Sequence, residues 1–126
     1  MRVVEPPLQI LLVEDNVPNQ KVMVAYLEYL GQVTTVAGTA SEALELARSS
    51  QFDLVLSDIQ LPDMSGTDLI AVLREMADPV PHLVAVTAMA RSDGEAHYRE
   101  LGFDGYLAKP VWREDLEHLL DNVRGG

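Results

Sequence analysis

With 126 residues, 48% of them hydrophobic, and no low-complexity run, the chain is long enough for one domain with a real core and too short for two. It has no Cys, which excludes disulfides and thiolate metal sites and agrees with a reducing compartment. Its formal net charge of −11 repels phosphate backbones and argues against direct nucleic-acid binding, and no apolar run approaches the ~20 residues that span a bilayer. Residues 1–7 lack the apolar stretch of a signal peptide and, with 124–126, are expected to be flexible ends of a single domain covering 1–126. A soluble, cytoplasmic protein is the expectation.

The chain then alternates strand and helix. Leu8 to Val13 is a short apolar strand, followed by Glu14-Asp15-Asn16 and by Pro18, which suits the first turn of a helix running to about Leu30. Gly31 can supply a left-handed stop there. Val33 to Ala37 is a β-branched strand, and Thr39-Ala40-Ser41-Glu42 reads as a capping box opening a helix with Ala43, Leu44 and Ala47 on one face. Phe52 to Ser57 is a third strand that delivers Asp58 at its carboxyl end. After a loop containing Pro62, Ser65 to Asp68 reads as another capping signal, and Leu69, Leu73 and Met76 stripe a third helix, which Pro79 and Pro81 break. Leu83 to Thr87 is the fourth strand. Arg91 to Leu101 is the weakest helix, with Gly94 inside it and Ala96, Tyr98 and Leu101 as its sizeable apolar residues, so loose docking is expected. Gly105 to Ala108 is the fifth strand, ending at Lys109-Pro110, and Leu116, Leu119, Leu120 and Val123 stripe the last helix.

Such alternation argues for an α/β fold, one parallel sheet covered by helices on both faces with right-handed crossovers. Every strand then points its carboxyl end at the same edge, where open α/β sheets bind ligands. Glu14 and Asp15 follow the first strand, Asp58 ends the third, Thr87 ends the fourth and Lys109 follows the fifth, so five polar residues converge on one crevice. Taken alone, Asp58 is equally well read as a turn cap and Thr87 as an ordinary strand end. Together they make a chemical set. Three adjacent carboxylates need positive charge to stay ionised, and a hard, oxygen-seeking Mg²⁺ suits them better than a thiolate or imidazole metal. Lys109 and the Thr87 hydroxyl can hold phosphoryl oxygens, and a metal-supported Asp can itself be a nucleophile forming an aspartyl phosphate.

The span from Leu8 to Val123 resembles the receiver domain of two-component response regulators. The resemblance rests on Glu14-Asp15, on Asp58 in Asp-Ile-Gln-Leu-Pro-Asp-Met-Ser-Gly, on Val-Thr-Ala at 86–88 and on Lys109-Pro110. Leu-Val-Glu-Asp-Asn-Val-Pro-Asn-Gln at 12–20 is most similar to receivers attached to hybrid sensor histidine kinases, which would put the domain on the cytoplasmic side of a membrane-bound kinase. The resemblance implies a flavodoxin-like doubly wound sheet of order 2-1-3-4-5 with five helices. It implies that Asp15, Asp58 and the backbone carbonyl of Gln60 ligate Mg²⁺, with Glu14 holding a metal-bound water, and that Lys109-Pro110 is cis. It assigns Asp58 as acceptor of a phosphoryl group from a histidine kinase or histidine phosphotransfer protein, with Lys109 and Thr87 stabilising the transferred charge. Such a domain is a regulatory phosphoacceptor, not an enzyme for a free substrate, although it catalyses its own phosphorylation and dephosphorylation. Thr87 and Tyr106 match its switch positions, while Gln60 and Met89 stand where the family tunes phosphoryl lifetime. The isolated domain is expected to be a monomer without membrane contact.

Met23, Leu27 and Leu30 already give the first helix its sheet-facing stripe, yet Val22, Tyr26 and Tyr29 form a second about 100° away. For Tyr26 and Tyr29, packing on the last helix and contact with a partner stay open. Val17 and Val22 lie at the crevice end, where receivers meet helices carrying a phosphohistidine, and are expected to dock the partner. Trp112 is expected to pack at the start of the last helix, with partner contact as the lesser alternative. His82, His97 and His118 share no ligand spacing and read as ordinary surface or boundary residues.

Three rivals weigh against a working receiver. A mononucleotide binder of the same fold needs a hydroxyl- and glycine-rich phosphate loop after the first strand, where Glu14-Asp15 has the wrong charge. A metal-dependent small-molecule phosphatase needs an Asp-x-Asp pair after a strand, which is missing. A degenerate receiver serving only for docking could do without the acidic pair, the acceptor Asp or the Lys, all of which are present.

Overall fold

The structure, a computed structural model, describes residues 6–88 and 94–125. Its elements run β1 (Gln9–Val13), α1 (Val17–Tyr29), β2 (Val33–Ala37), α2 (Ala40–Ser49), β3 (Leu54–Asp58), α3 (Gly66–Met76), β4 (His82–Thr87), α4 (Gly94–Glu100), β5 (Gly105–Ala108) and α5 (Arg113–Gly125). All strand pairs are parallel, in the order β2-β1-β3-β4-β5. This is the expected doubly wound sheet.

Side chains alternate across a strand, so each strand feeds two cores. Ile10, Leu12, Leu54, Leu56, Val84 and Val86 pack with Met23 and Leu27 of α1, Leu30, and Leu116 and Leu120 of α5. Leu11, Val13, Val55, Leu83 and Ala85 pack with α2 (Ala40, Ala43), α3 (Leu69, Ile70, Leu73), Tyr98 and Phe103. Each fully buried Leu or Ile contributes about 1.5–3 kcal/mol. The near-continuous apolar reading of β1, β3 and β4 follows from having a core on both sides.

Helix starts follow the sequence signals, with local differences. Asn16 caps α1 by accepting from the Asn19 amide at 2.9 Å, Pro18 stands in the first turn, and Gly31 closes the helix at φ 80°. Thr39 caps α2 through the Glu42 amide at 3.1 Å. The reciprocal half of the box is altered, since Glu42 Oε1 accepts from the Gly38 amide at 2.6 Å. Ser65 caps α3 through the Asp68 amide. Strand β3 starts at Leu54, later than expected, and Asp58 is its last residue; Phe52 packs on the core from outside the strand.

Two expectations need correction. Helix α5 continues through Gly125, so 124–125 belong to it, while 1–5 and 126 lie outside the described residues. Of the three apolar residues expected to seat helix α4, one does so: Tyr98 is 4% exposed, whereas Ala96 and Leu101 face solvent. The expected first turn at 91–93 and Met89 lie outside the described residues.

Gly66 fixes where Asp58 sits. Its amide donates to the Ile59 carbonyl at 2.7 Å, and a Cβ on it would come within 2.2 Å of the Asp58 carbonyl oxygen. Backbone cannot yield as a flexible side chain does. Gly66→Ala is therefore expected to lower stability by roughly 2 kcal/mol or more, measured by chemical denaturation. Ala71→Gly, at an exposed site in the same helix, should cost only about 1 kcal/mol.

Candidate functional site

Strand ends bring the charged residues together. Glu14 directly follows β1, its amide donating to the Ala37 carbonyl of β2 at 3.0 Å. Its own carbonyl accepts from the Gln20 side chain at 2.5 Å, which ties the β1–α1 turn to the helix. Asp58 lies opposite Val86 in the β3–β4 register, and Lys109 extends β5, its amide donating to the Thr87 carbonyl at 2.8 Å. The Lys109-Pro110 peptide is cis, as is Asp78-Pro79, which had no counterpart in the sequence reading.

One carboxylate oxygen from each of Glu14, Asp15 and Asp58 lies within 4.8 Å of the others. Lys109 Nζ reaches Asp58 Oδ2 at 2.8 Å and Glu14 Oε1 at 3.0 Å. Asp58 Oδ1 accepts from the Gln60 amide at 3.2 Å, and Glu14 Oε2 from the Asn16 amide at 3.1 Å. Three formal negative charges thus face one positive. Glu14 is buried, Asp58 half-buried and Asp15 exposed, so the trio opens to solvent on the Asp15 side. Burial disfavours the Lys109 ammonium, but hydrogen bonds and charge from Asp58 and Glu14 outweigh it and hold its pKa above 10.5.

This donor set, all oxygen, with one acid open to water and negative charge in excess, fits a hard divalent cation that keeps part of its hydration shell. Among the described residues it is the group of acids placed to hold one.

A cleft of about 530 Å³ lies over Asp15 and Asp58 of the trio, lined also by Gln60, Thr87, Lys109, by His97 and Tyr98 of α4, and by Leu101 just after it. The α4 wall was not legible in the sequence. His97, read as an ordinary surface or boundary residue, is half-buried in it, at the boundary. Tyr98, counted only as apolar, donates its hydroxyl to Thr87 Oγ1 at 3.3 Å and stacks on Tyr106 with ring centroids 5.1 Å apart. Asp63, in the β3–α3 loop, accepts from the Ala40 and Ser41 amides at 2.9 Å each, and these bonds hold its carboxyl below 3.8. It caps α2 and pins the loop that follows Asp58.

A second groove, of about 390 Å³, runs from Glu14 and Lys109 between α1 and the β5–α5 connection, lined by Asn19, Val22, Met23, Tyr26, Pro110 and Trp112 among others. The second stripe of α1 divides along it. Tyr29 lies under the Arg113 guanidinium at 5.2 Å and Tyr26 packs on the core, while Val22 stays 48% exposed. Val17 is exposed at the head of α1, outside the groove's lining. Trp112, expected to be packed, is 58% exposed on the groove's rim, and its amide donates to Asp115 at 2.9 Å.

A family model described as the response regulator receiver domain matches residues 10–121. The aerobic respiration control sensor protein ArcB of Escherichia coli K12 is 44% identical over 108 residues, 84% of this chain but 14% of that protein. The receiver domain of a sensor histidine kinase from Pseudomonas aeruginosa PAO1, solved with magnesium coordinated in its active site cleft, is 33% identical with a TM-score of 0.83, covering 95% of this chain and 99% of that one. The receiver domain of Ssk1 of Saccharomyces cerevisiae, solved with the histidine phosphotransfer protein Ypd1, is 26% identical with a TM-score of 0.84, covering 94% and 89%.

The ion pairs of Lys109 set a pH signature. Because its folded pKa is raised, the stability they contribute is complete below the unfolded value and is lost as pH rises through the folded one. In metal-free buffer, the stability advantage of wild type over Lys109→Met is expected to shrink as pH climbs past 10.5, followed by urea denaturation. Lys21→Met, at an exposed site, serves as the control for removing one lysine charge.

Proposed function

Because this chain belongs to the response regulator receiver domain family, we propose that Asp58 is its acceptor residue, taking a phosphoryl group from a phosphohistidine borne by a histidine kinase or histidine phosphotransfer protein. The observation that carries this reading is Lys109 Nζ bonded to both Asp58 and Glu14 within a trio of carboxylates. A nucleophile needs one oxygen open to the incoming phosphorus, and Asp58 is the half-buried member, in the cleft, between a cation and a backbone amide.

In the proposed reaction an Asp58 oxygen forms the new bond to phosphorus as the phosphorus–nitrogen bond to the donor imidazole breaks, and the imidazole leaves neutral after taking a proton from solvent. Lys109 follows the charge from carboxylate to phosphoryl oxygen, and the Thr87 hydroxyl donates to another oxygen. Glu14, Asp15, Asp58 and the Gln60 carbonyl would hold Mg²⁺, which, when bound, neutralises the acids and the phosphoryl oxygens. Hydrolysis of the acyl phosphate by the same groups would make the domain catalyse its own dephosphorylation. Thr87 and Tyr106 would carry the change outward, with Tyr98 between them.

The hybrid kinase resemblance supports a domain working inside or beside a larger kinase. Its partner surface is the groove beside the trio. Val22, Trp112 and Pro110 offer apolar contact next to acidic chemistry, suited to an amphipathic helix that brings a histidine to Asp58. The Ssk1 receiver, solved with such a partner protein, supports this choice of class.

The test compares two donors. In Mg²⁺, Val22→Asp and Trp112→Ala are expected to slow transfer from a phosphohistidine protein by about tenfold, the cost of one anchor residue. Labelling by acetyl phosphate, which needs no docking, should be nearly unchanged. Equal loss with both donors would move these residues from docking to fold, and labelling that survives a chelator would remove the metal from the mechanism.

A further inference from the structure

Resting on the reading of Asp58 as phosphoacceptor, we propose that Tyr98 is a positioning residue whose hydroxyl latches Thr87 to α4, and that a phosphoryl group on Asp58 opens the latch. The ring of Tyr98 is fixed. It meets His97 at 4.9 Å, Phe103 edge-on at 6.3 Å and Tyr106 at 5.1 Å, and the residue is 4% exposed. A ring held from several sides can aim its hydroxyl at only one place, and that place is Thr87 Oγ1 at 3.3 Å, on a residue itself 4% exposed.

The bond joins two things that would otherwise be separate. Thr87 stands one residue beyond Val86, the register partner of Asp58, and lines the cleft above it. Helix α4, as far as it is described, buries only Gly94 and Tyr98, so its seat depends on this one side chain. Its first described residue rests on the same cluster: a Cβ on Gly94 would lie 2.6 Å from Tyr106 Cζ, so glycine lets the helix sit against the Tyr106 ring. Whatever moves Thr87 or Tyr98 therefore moves the footing of α4.

At 3.3 Å the tyrosine bond is long for two hydroxyls, which prefer about 2.7–2.8 Å. A phosphoryl oxygen on Asp58 would offer Thr87 a charged acceptor, and charge-assisted bonds are roughly twice as strong as neutral ones. Drawn toward Asp58, Thr87 stretches its bond to Tyr98 until it breaks, and α4 loses its tie. Linkage makes the effect reciprocal: a latch that phosphorylation must open opposes phosphorylation while it is closed.

Beryllofluoride with Mg²⁺, which mimics an acyl phosphate, tests this by calorimetry and by hydrogen exchange over residues 94–101. Wild type should bind, with faster exchange in α4. Tyr98→Phe keeps the ring and removes only the hydroxyl. It should bind beryllofluoride roughly fivefold tighter, the worth of one ordinary hydrogen bond, and exchange faster in α4 even without ligand. Faster exchange with unchanged affinity would make Tyr98 a mere anchor of the helix, and weaker binding would make it a helper of the site. Either result overturns the latch. Should Tyr98→Phe fold poorly, the Tyr98 ¹³Cζ resonance of wild type decides, since it must shift when beryllofluoride binds and an unmoved resonance overturns the proposal. If wild type fails to bind beryllofluoride at all, the phosphoacceptor reading fails first and the latch falls with it.

Discussion

Three carboxylates share an edge of the sheet, one oxygen of each within 4.8 Å of the others, with one lysine between two of them. Such a cluster is unfavourable on its own, because each acid raises the electrostatic cost of the next and Glu14 is almost wholly out of water. The fold tolerates it because the acids are held by covalent geometry at the strand ends and two of them receive bonds from fixed donors, Asn16 N for Glu14, Gln60 N for Asp58 and Lys109 for both, while Asp15 is exposed to water. Repulsion that is compensated only in part is also what makes the place reactive toward cations and toward groups that bring a cation with them.

Much of the remaining structure serves to keep that edge rigid. Gly66 brings the start of α3 against the Asp58 carbonyl, and Asp63 reaches from the same loop to cap α2, so the segment after Asp58 is held at two points. Gln20 holds the Glu14 carbonyl from the other side. The α4 side differs, for there a single tyrosine and a glycine seat do the holding. A rigid half and a loosely seated half around one cleft is the arrangement expected of a switch, since only the weakly held element can respond to a change of about one hydrogen bond.

The sequence made the fold legible because strand runs, caps and stops agreed with one another: Asn16, Pro18, Gly31, Thr39 and Ser65 all do locally what their positions announce. The trio was legible because parallel topology sends every strand end to one edge, which needs no knowledge of side-chain contacts. Long-range side-chain geometry was not legible. Asp63 capping a helix more than twenty residues away leaves no periodic trace, and Tyr98 counted as one weak apolar residue until its hydroxyl was placed on Thr87. The exposure of Trp112 misled for a related reason: an aromatic after Pro110 suggests burial by type, whereas its amide donates to Asp115 at the start of α5 and its indole stays 58% exposed. The second stripe of α1 shows the middle case, with Tyr29 claimed by Arg113, Tyr26 by the core, and Val22 left to the groove.

The central claim is that the acyl phosphate forms on Asp58 and nowhere else. It is tested most directly by treating the protein with acetyl phosphate and Mg²⁺, reducing the product with borohydride and locating the reduced residue by peptide mass spectrometry. The account predicts homoserine at position 58, absent when a chelator replaces Mg²⁺ and absent in Asp58→Asn. Reduction at Asp15 or another carboxylate, or phosphate recovered on His97 of the cleft wall with position 58 untouched, would contradict it.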